Sequence, residues 1–406
     1  MGKLQVGVIF GSRSCEHEVS IISAVQLMRQ ADKDKYDIIP VYIAQDGTWW
    51  TGDKLRDIRS FIPAFDPALP GLTRVQPDLT AKSGALLAYE RKGLFRGEGR
   101  SIAARLDLAI PVMHGLHGED GTLQGLLELM DIPYASSGVA ASSLCMDKIL
   151  MKRLMRSFGF PVLRDLALSR SAWQNNAIET IHLVESSLPY PVFVKPANLG
   201  SSIGVSRAGD FQSLKDALEL AFSYDRRVLV EEGVDSPIEV NCAVLGFDDE
   251  AHASVVEMPV TQGTLLDFNN KYIQGGGGKG MASLRRVVPA PIGEEMTARV
   301  RQLSLDVFRA FDCKGCVRVD CMIAPASDSL TITEVNAIPG SLAFYLWEQS
   351  EPRLGYRDLI DRLVKYALRA QHEKDENNFA FSSDILKSAS LGGSKGAKGA
   401  KQQGST

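Results

Sequence analysis

The stretch Val317-Arg318-Val319-Asp320-Cys321-Met322-Ile323, a turn from Ala324 to Ser329, and Leu330-Thr331-Ile332-Thr333-Glu334-Val335-Asn336 constrain this chain more than any other feature. β-Branched residues alternate with polar ones on both sides of a Pro/Ser/Asp cluster, which predicts two antiparallel strands. Residues two apart on a strand share a face, so Arg318 goes with Asp320, and Glu334 with Asn336. A hairpin symmetric about Ser327 sets Asp320 opposite Glu334 and Arg318 opposite Asn336. Facing carboxylates repel, and burying them costs several kcal/mol unless a cation intervenes. A hard divalent ion suits an oxygen-only set such as Asp320, Glu334 and Asn336, and Mg²⁺ commonly brings nucleotide phosphates with it. A hairpin face salt-bridged by Arg318 is the other reading.

At 406 residues, 45% apolar and 23% charged, the chain has room for two or three globular domains. A formal charge of -4 gives no basic footprint for nucleic acid or an anionic membrane. No apolar run approaches the roughly 18 residues of a membrane span. The amino terminus enters a strand without a signal-peptide pattern, so a cytoplasmic location is expected. The six cysteines do not form a disulfide framework, and Cys313-Lys314-Gly315-Cys316 lacks the partners of a zinc site. They are expected to be small buried side chains.

Leu4 to Phe10 reads as a strand, followed by Gly11 to Ser20 and a helix to about Gln30 whose apolar face carries Val19, Ile22, Val25 and Met28. Strand, glycine turn and helix open a parallel α/β sheet, at whose carboxyl edge ligands bind. Glu16 lies there, as a ligand group or as a helix cap. A second strand spans Ile38 to Ile43, and a third, Leu106 to Val112, leads to His114 in another glycine-flanked loop. From about 49 to 99 the pattern is weak, and this part reads as an insertion or variable lobe.

Met146-Asp147-Lys148 opens a helix, and Val194-Lys195-Pro196 ends a strand. Asn198 to Val205 is a Gly/Ser loop in which Ser201 and Ser202 allow close backbone approach to phosphate, with Lys148 and Lys195 supplying charge. A plain Gly/Ser hairpin is the alternative. Glu231 and Glu232 end another strand before Val234. The run from Leu265 to Ala282, holding Lys271, Tyr272 and four consecutive glycines, suits a lid. Beyond about 373 the composition is that of a disordered tail.

Taken together these stretches resemble the D-alanine-D-alanine ligases of the ATP-grasp superfamily. The carriers are Ser14 to Ser20, His114 with Gly118 to Gly125, Met146-Asp147-Lys148, Lys195-Pro196 with Gly200-Ser201-Ser202, Lys271-Tyr272, Arg318-Val319-Asp320, and Glu334-Val335-Asn336 with Pro339-Gly340. The resemblance implies an α/β and α+β fold of three domains: 1–145, 146–233, and 234–372 with a lid at 265–284, followed by a tail at 373–406. ATP would lie between the central and carboxyl-terminal domains.

By the same resemblance Lys148, Lys195, Ser202 and Lys271 serve the phosphates. Glu231, Glu232 and Val234 line the adenine site and Glu239 the ribose. Asp320, Glu334 and Asn336 hold two Mg²⁺ or Mn²⁺. Glu16, Ser201 and Tyr272 form a hydrogen-bonded set at the first D-alanine, His114 lies near the substrates, and Arg318 with the Gly340 N–H stabilises the oxyanion. The segment Ser341 to Tyr345 departs from the family's pattern, leaving Ser341 and Leu342 to meet the second amino acid. The implied protein is a cytoplasmic homodimer making D-alanyl-D-alanine for peptidoglycan. A ligase for another amino-acid pair, or a nucleotide-binding regulatory protein without turnover, are the alternatives.

Overall fold

A computed structural model describes residues 2–91, 98–260 and 286–378. Strand β1 (Leu4–Gly11), helix α1 (His17–Gln30) and β2 (Tyr36–Ile43) form the opening β-α-β unit. Val6, Val8, Ile9 and Phe10 are all buried, because this strand is covered on both faces. Helix α1 is buried more broadly than one stripe, with Ser20, Ser23 and Ala24 as well as Val19, Val25 and Met28 inside.

The weakly patterned stretch does not make a separate lobe. It supplies β3 (Trp49–Thr51), β4 (Thr73–Pro77), β5 (Ala85–Arg91) and β6 (Glu98–Arg105), which extend the first sheet. With β7 (Leu108–Pro111) the order is β6-β5-β4-β3-β2-β1-β7. Only β2, β1 and β7 run parallel; β3 to β6 add antiparallel neighbours. Short strands with half-buried faces leave little periodicity to read.

Helices α2 (Thr122–Met130), α3 (Val139–Met146) and α4 (Lys148–Ser157) lead away from this sheet. Asp147 caps α4 by accepting from the N–H groups of Ile149 at 3.2 Å and Leu150 at 3.1 Å, and also pairs with Arg227. Ala141, Cys145, Met151 and Met155 join the apolar core of the last sheet, so the boundary expected at 145/146 does not separate two cores.

The second sheet contains β8 (Asp165–Ser169), β9 (Val192–Pro196), β10 (Ser206–Ala208) and β11 (Arg227–Glu232), in the antiparallel order β10-β9-β11-β8. It is covered by α5 (Arg170–Asn175), α6 (Ala177–Ser187) and α7 (Phe211–Tyr224), the last opened by a capping box between Asp210 and Ser213.

The third sheet is built from β12 (Ile238–Phe247), β13 (Glu250–Pro259), β14 (Arg286–Val287), β15 (Lys314–Ala324) and β16 (Ser329–Asn336), in the order β14-β13-β12-β15-β16. Helix α8 (Glu294–Ala310) lies against it. The short α9 (Phe344–Trp347) and long α10 (Tyr356–Asp375) complete the described chain. Leu359, Leu363 and Tyr366 of α10 share one core with Val8 and Phe10 of β1 and Leu245 of β12. The first and third sheets are thereby fastened together, and the loops at their edges meet at one place. Helix α10 continues to Asp375, past the point at which the tail was expected; residues 379–406 lie outside the described chain.

Among the described residues no helix is long and apolar enough to cross a membrane. All six cysteines are free thiols; five, Cys313 and Cys316 among them, are buried as expected, whereas Cys15 is exposed.

Candidate active site

The β15–β16 hairpin has the expected register. Arg318 faces Asn336 and Asp320 faces Glu334, with an irregularity just beyond Asp320. The carboxylates avoid each other by taking separate cations. Arg318 grips Asp320 through Nε and Nη2, both at 2.6 Å, and Asn336 Nδ2 donates to Asp320 at 3.1 Å. Glu334 accepts from Lys148 Nζ at 2.9 Å, and the same ammonium donates to the Leu199 carbonyl at 2.6 Å. Lys148 therefore ties the start of α4, the Gly/Ser loop and the acidic hairpin into one point.

A second charged cluster lies on the facing side. Glu231 is 2% exposed and pairs with both Lys195 and Lys152. Burial alone would raise its pKa, but the two ammonium groups prevail and hold it down to about 2. Lys152 also meets Asp165 at 3.3 Å. The Glu231 carboxylate is thereby committed to these lysines. Glu232 pairs with Arg164, at 2.8 Å from Nε and 2.9 Å from the backbone N–H. Val234 is half-buried and Glu239 exposed just beyond, and the charge of Glu239 reaches Lys195.

On the first sheet, Glu16 is buried and accepts from the Ser201 hydroxyl, joining the first loop to the Gly/Ser loop. Glycines wall its carboxylate: a Cβ on Gly115 would lie 2.6 Å from Oε2, and one on Gly200 also 2.6 Å. Ser201 and Ser202 both adopt positive φ, 51° and 59°, which turns the loop sharply. His114 is buried, with Nδ1 on the Ile338 carbonyl and Nε2 on Ser23 Oγ, each at 3.0 Å. Desolvation lowers its pKa to about 4, so it is neutral near pH 7.

The sequence reading gave no role to Glu119, although it lies within the quoted Gly118-Glu119-Asp120-Gly121 run. Its carboxylate accepts from Gly115 N–H at 2.8 Å and Ile338 N–H at 3.0 Å, clasping the loops after β7 and β16. Burial, and then the charge of Glu16, push its pKa up to about 8.

Ser341 and Leu342, expected to meet the second amino acid, lie in a tight turn. Ser341, Leu342 and Ala343 take consecutive left-handed conformations, with φ of 50°, 54° and 49°. This turn sends the Ser341 hydroxyl to Gln26 Oε1 at 2.7 Å and its N–H to Ser23 Oγ at 3.1 Å, and places Leu342 in the core. Gly340 opens the turn. Lys271, Tyr272 and the lid expected at 265–284 lie outside the described residues.

Asp320, Glu334 and the Asn336 carboxamide are hard oxygen donors and fit a divalent ion of the magnesium type. Among the described residues no group of three His, Cys, Asp or Glu side chains is disposed to hold a metal alone, so water or substrate oxygens would complete the shell.

Comparisons with known proteins identify the family. The D-ala D-ala ligase N-terminus model matches residues 5–137 and the D-ala D-ala ligase C-terminus model residues 154–365. The chain is 38% identical over 376 residues to a D-alanine--D-alanine ligase of Chloroherpeton thalassium, covering 92% of this chain and 99% of the relative. A D-alanine--D-alanine ligase of Thermosipho africanus is 35% identical over 383 residues, covering 94% and 98%. Among solved structures, a D-alanine-D-alanine ligase from Coxiella burnetii superposes with TM-score 0.74 at 25% identity, over 96% of this chain and 99% of that one. A D-Ala:D-Ser ligase from Enterococcus faecalis gives TM-score 0.72 at 30% identity, over 90% and 100%. By fold and by descent, the chain belongs to the D-alanine-D-alanine ligase family.

Proposed function

We infer that this protein is an ATP-dependent ligase that joins two D-alanines into D-alanyl-D-alanine, a building block of peptidoglycan. The observation that carries this reading is that the Gly/Ser loop is tied to the acidic hairpin, with its Arg318–Asp320 pair, through Lys148, and to the first sheet through the Glu16–Ser201 hydrogen bond.

Each group suits a step of such a reaction. Glu16, in its glycine-walled niche with Ser201, would receive the ammonium of the first D-alanine and aim its carboxylate at the γ-phosphate of ATP. Lys148, Lys195, Ser202 and Lys271 would hold the phosphates in line; Tyr272 would extend the Glu16–Ser201 set. Glu231, Glu232 and Val234 would contribute the strand end against adenine, and Glu239 would meet the ribose. Asp320, Glu334 and Asn336 would hold two divalent ions, whose charge would offset that of the phosphates during phosphoryl transfer.

The first carboxylate oxygen bonds to the γ-phosphorus as the bond to ADP breaks. The second amine then adds to the acyl carbon, and phosphate leaves as the amine gives up its proton. Arg318 and the Gly340 N–H would stabilise the tetrahedral oxyanion, a contribution typically of about 3 to 4 kcal/mol per donor. His114, neutral and held between Ser23 and Ile338, positions the substrate loops rather than carrying charge.

Measuring ADP release with a panel of D- and L-amino acids tests the assignment. Turnover with D-alanine alone supports it; negligible release with D-alanine and rapid release with another pair would favour a ligase of different specificity. The altered 341–345 segment is the reason to include that panel. A homodimer in the cytoplasm is part of this reading by the family resemblance, and sedimentation would test the assembly.

A further inference from the structure

Glu16 stands at the N-cap position of α1, but its side chain makes no capping hydrogen bond and reaches across to Ser201 instead. A helix start without its usual cap needs another anchor if the loop before it is to keep one conformation. The neighbouring residue supplies that anchor.

His17 is 6% exposed and is held at both ring nitrogens. Nδ1 lies 2.6 Å from the Ser12 carbonyl and Nε2 lies 3.0 Å from the Tyr42 hydroxyl. A carbonyl can only accept, so Nδ1 carries the hydrogen. Burial lowers the pKa of this histidine and favours the neutral ring, in which Nε2 accepts from the tyrosine. The imidazole thus joins the loop after β1 to strand β2 in a single tautomer.

The groups at its two ends are themselves fixed. Gly11 and Ser12 take consecutive positive φ, 96° and 93°, which a serine keeps only where its surroundings hold it. Ser12 donates its N–H to the Ile43 carbonyl at 2.7 Å and its hydroxyl to the Leu116 carbonyl at 3.1 Å. Its own carbonyl goes to His17. Tyr42 is 2% exposed, with its ring centroid 5.0 Å from that of Phe61 and 4.6 Å from that of Phe65. Both phenylalanines come from the weakly patterned stretch between β3 and β4. The line Tyr42–His17–Ser12 therefore carries the rigidity of an aromatic cluster into the loop that ends at Glu16.

We propose that His17 and Tyr42 are positioning residues for the first D-alanine, holding the loop from Gly11 to Glu16 so that the Glu16 carboxylate is fixed in its niche before the ammonium arrives. This deepens the ligase reading and rests on it. Neither side chain touches the substrate. Such preorganisation shows in affinity, because ordering a loop at the moment of binding subtracts from the strength of the contact it makes.

The test measures initial rates of ADP release for the wild type, Tyr42→Phe, His17→Ala and His17→Asn. D-Alanine is varied at saturating ATP and the rates are fitted to two D-alanine sites; ATP is then varied at saturating D-alanine. Tyr42→Phe keeps the ring packing and removes only the hydroxyl, so the constant of one D-alanine site should rise about threefold. His17→Ala removes both bonds and should raise the same constant about tenfold or more. Asparagine keeps a donor near the place of Nδ1, so His17→Asn should return that constant to within about threefold of the wild type. The other D-alanine constant and the KM for ATP should stay within about twofold throughout. A fall in kcat with both D-alanine constants unchanged marks a purely structural role and overturns the proposal, as does an equal rise in both constants. His17→Asn no better than His17→Ala overturns the part given to Nδ1. Where His17→Ala does not fold, Tyr42→Phe decides alone. A wild type that releases no ADP with D-alanine instead overturns the ligase reading beneath it.

Discussion

Asp320 and Glu334 face each other across neighbouring strands, yet each carboxylate is held by a different cation, Arg318 for the first and Lys148 for the second. The hairpin brings the acids together, and lysine and arginine from two separate parts of the fold keep them apart electrostatically. A divalent ion entering with nucleotide would take over part of that work, releasing Lys148 toward phosphate.

Glu334→Gln keeps the side-chain shape and removes the charge. ADP release at saturating ATP should fall about a hundredfold or more, with a raised magnesium requirement. A magnesium titration of steady-state turnover checks this, and a variant with the wild-type rate and titration midpoint would remove Glu334 from the metal set.

Gly200→Ala places a methyl group 2.6 Å from Glu16 Oε2. The far end of a flexible side chain can shift, so the fold should hold while the Glu16–Ser201 bond is lost. Stability should change by less than about 1 kcal/mol. The KM for the first D-alanine should rise about tenfold. Urea denaturation beside initial-rate kinetics separates the two effects; a large stability loss with an unaltered KM contradicts the niche.

Lys152 is fully buried against Glu231 and Asp165. Lys152→Met fills the space but leaves these acids short of a partner, and breaking a buried pair in this way costs about 3 to 5 kcal/mol. Chemical denaturation should show that loss. The partial restoration expected for Lys152→Met with Glu231→Gln, read from the same curves, would confirm its electrostatic origin.

His114 has a folded pKa of about 4 against an ordinary value of 6.5, because burial opposes its charge. Between those values the unfolded chain binds a proton that the folded chain does not, so this group's contribution falls by about 3 kcal/mol as pH drops from 6.5 to 4. Glu119 acts in the opposite sense: with a folded pKa of about 8 against 4.5, its burial is increasingly unfavourable as pH rises between them. The difference between wild type and His114→Asn isolates the histidine, and should shrink as pH falls from 6.5 to 4. A pH-independent difference would show that His114 does not titrate as its burial requires.

Much of this protein was legible in local pattern. The strand alternation of 317–323 and 330–336 marked a hairpin with Asp320 opposite Glu334, whereas the bulge beyond Asp320, which turns Ile332 to the buried face of Val317 and Val319, was not legible, because strict alternation would put Ile332 on the face of Glu334. The opening β-α unit and the helix start at Asp147-Lys148 were equally plain, since turn and capping chemistry is local. The antiparallel strands between 49 and 105 were not, because half-buried strands interrupted by turns carry little periodicity.

What only the tertiary structure decided is where distant charges meet. That Glu231 answers Lys152 and Lys195, that Glu119 clasps two loops, and that Tyr345 rather than Ser341 stands beside Arg286 are outcomes of strand pairing and of packing between elements distant in sequence. The energy of a buried charge depends on partners tens or hundreds of residues away, and a chain of residue types does not state those distances. The left-handed turn at 341–343 is the clearest case, since no propensity favours it and only the surrounding contacts hold it.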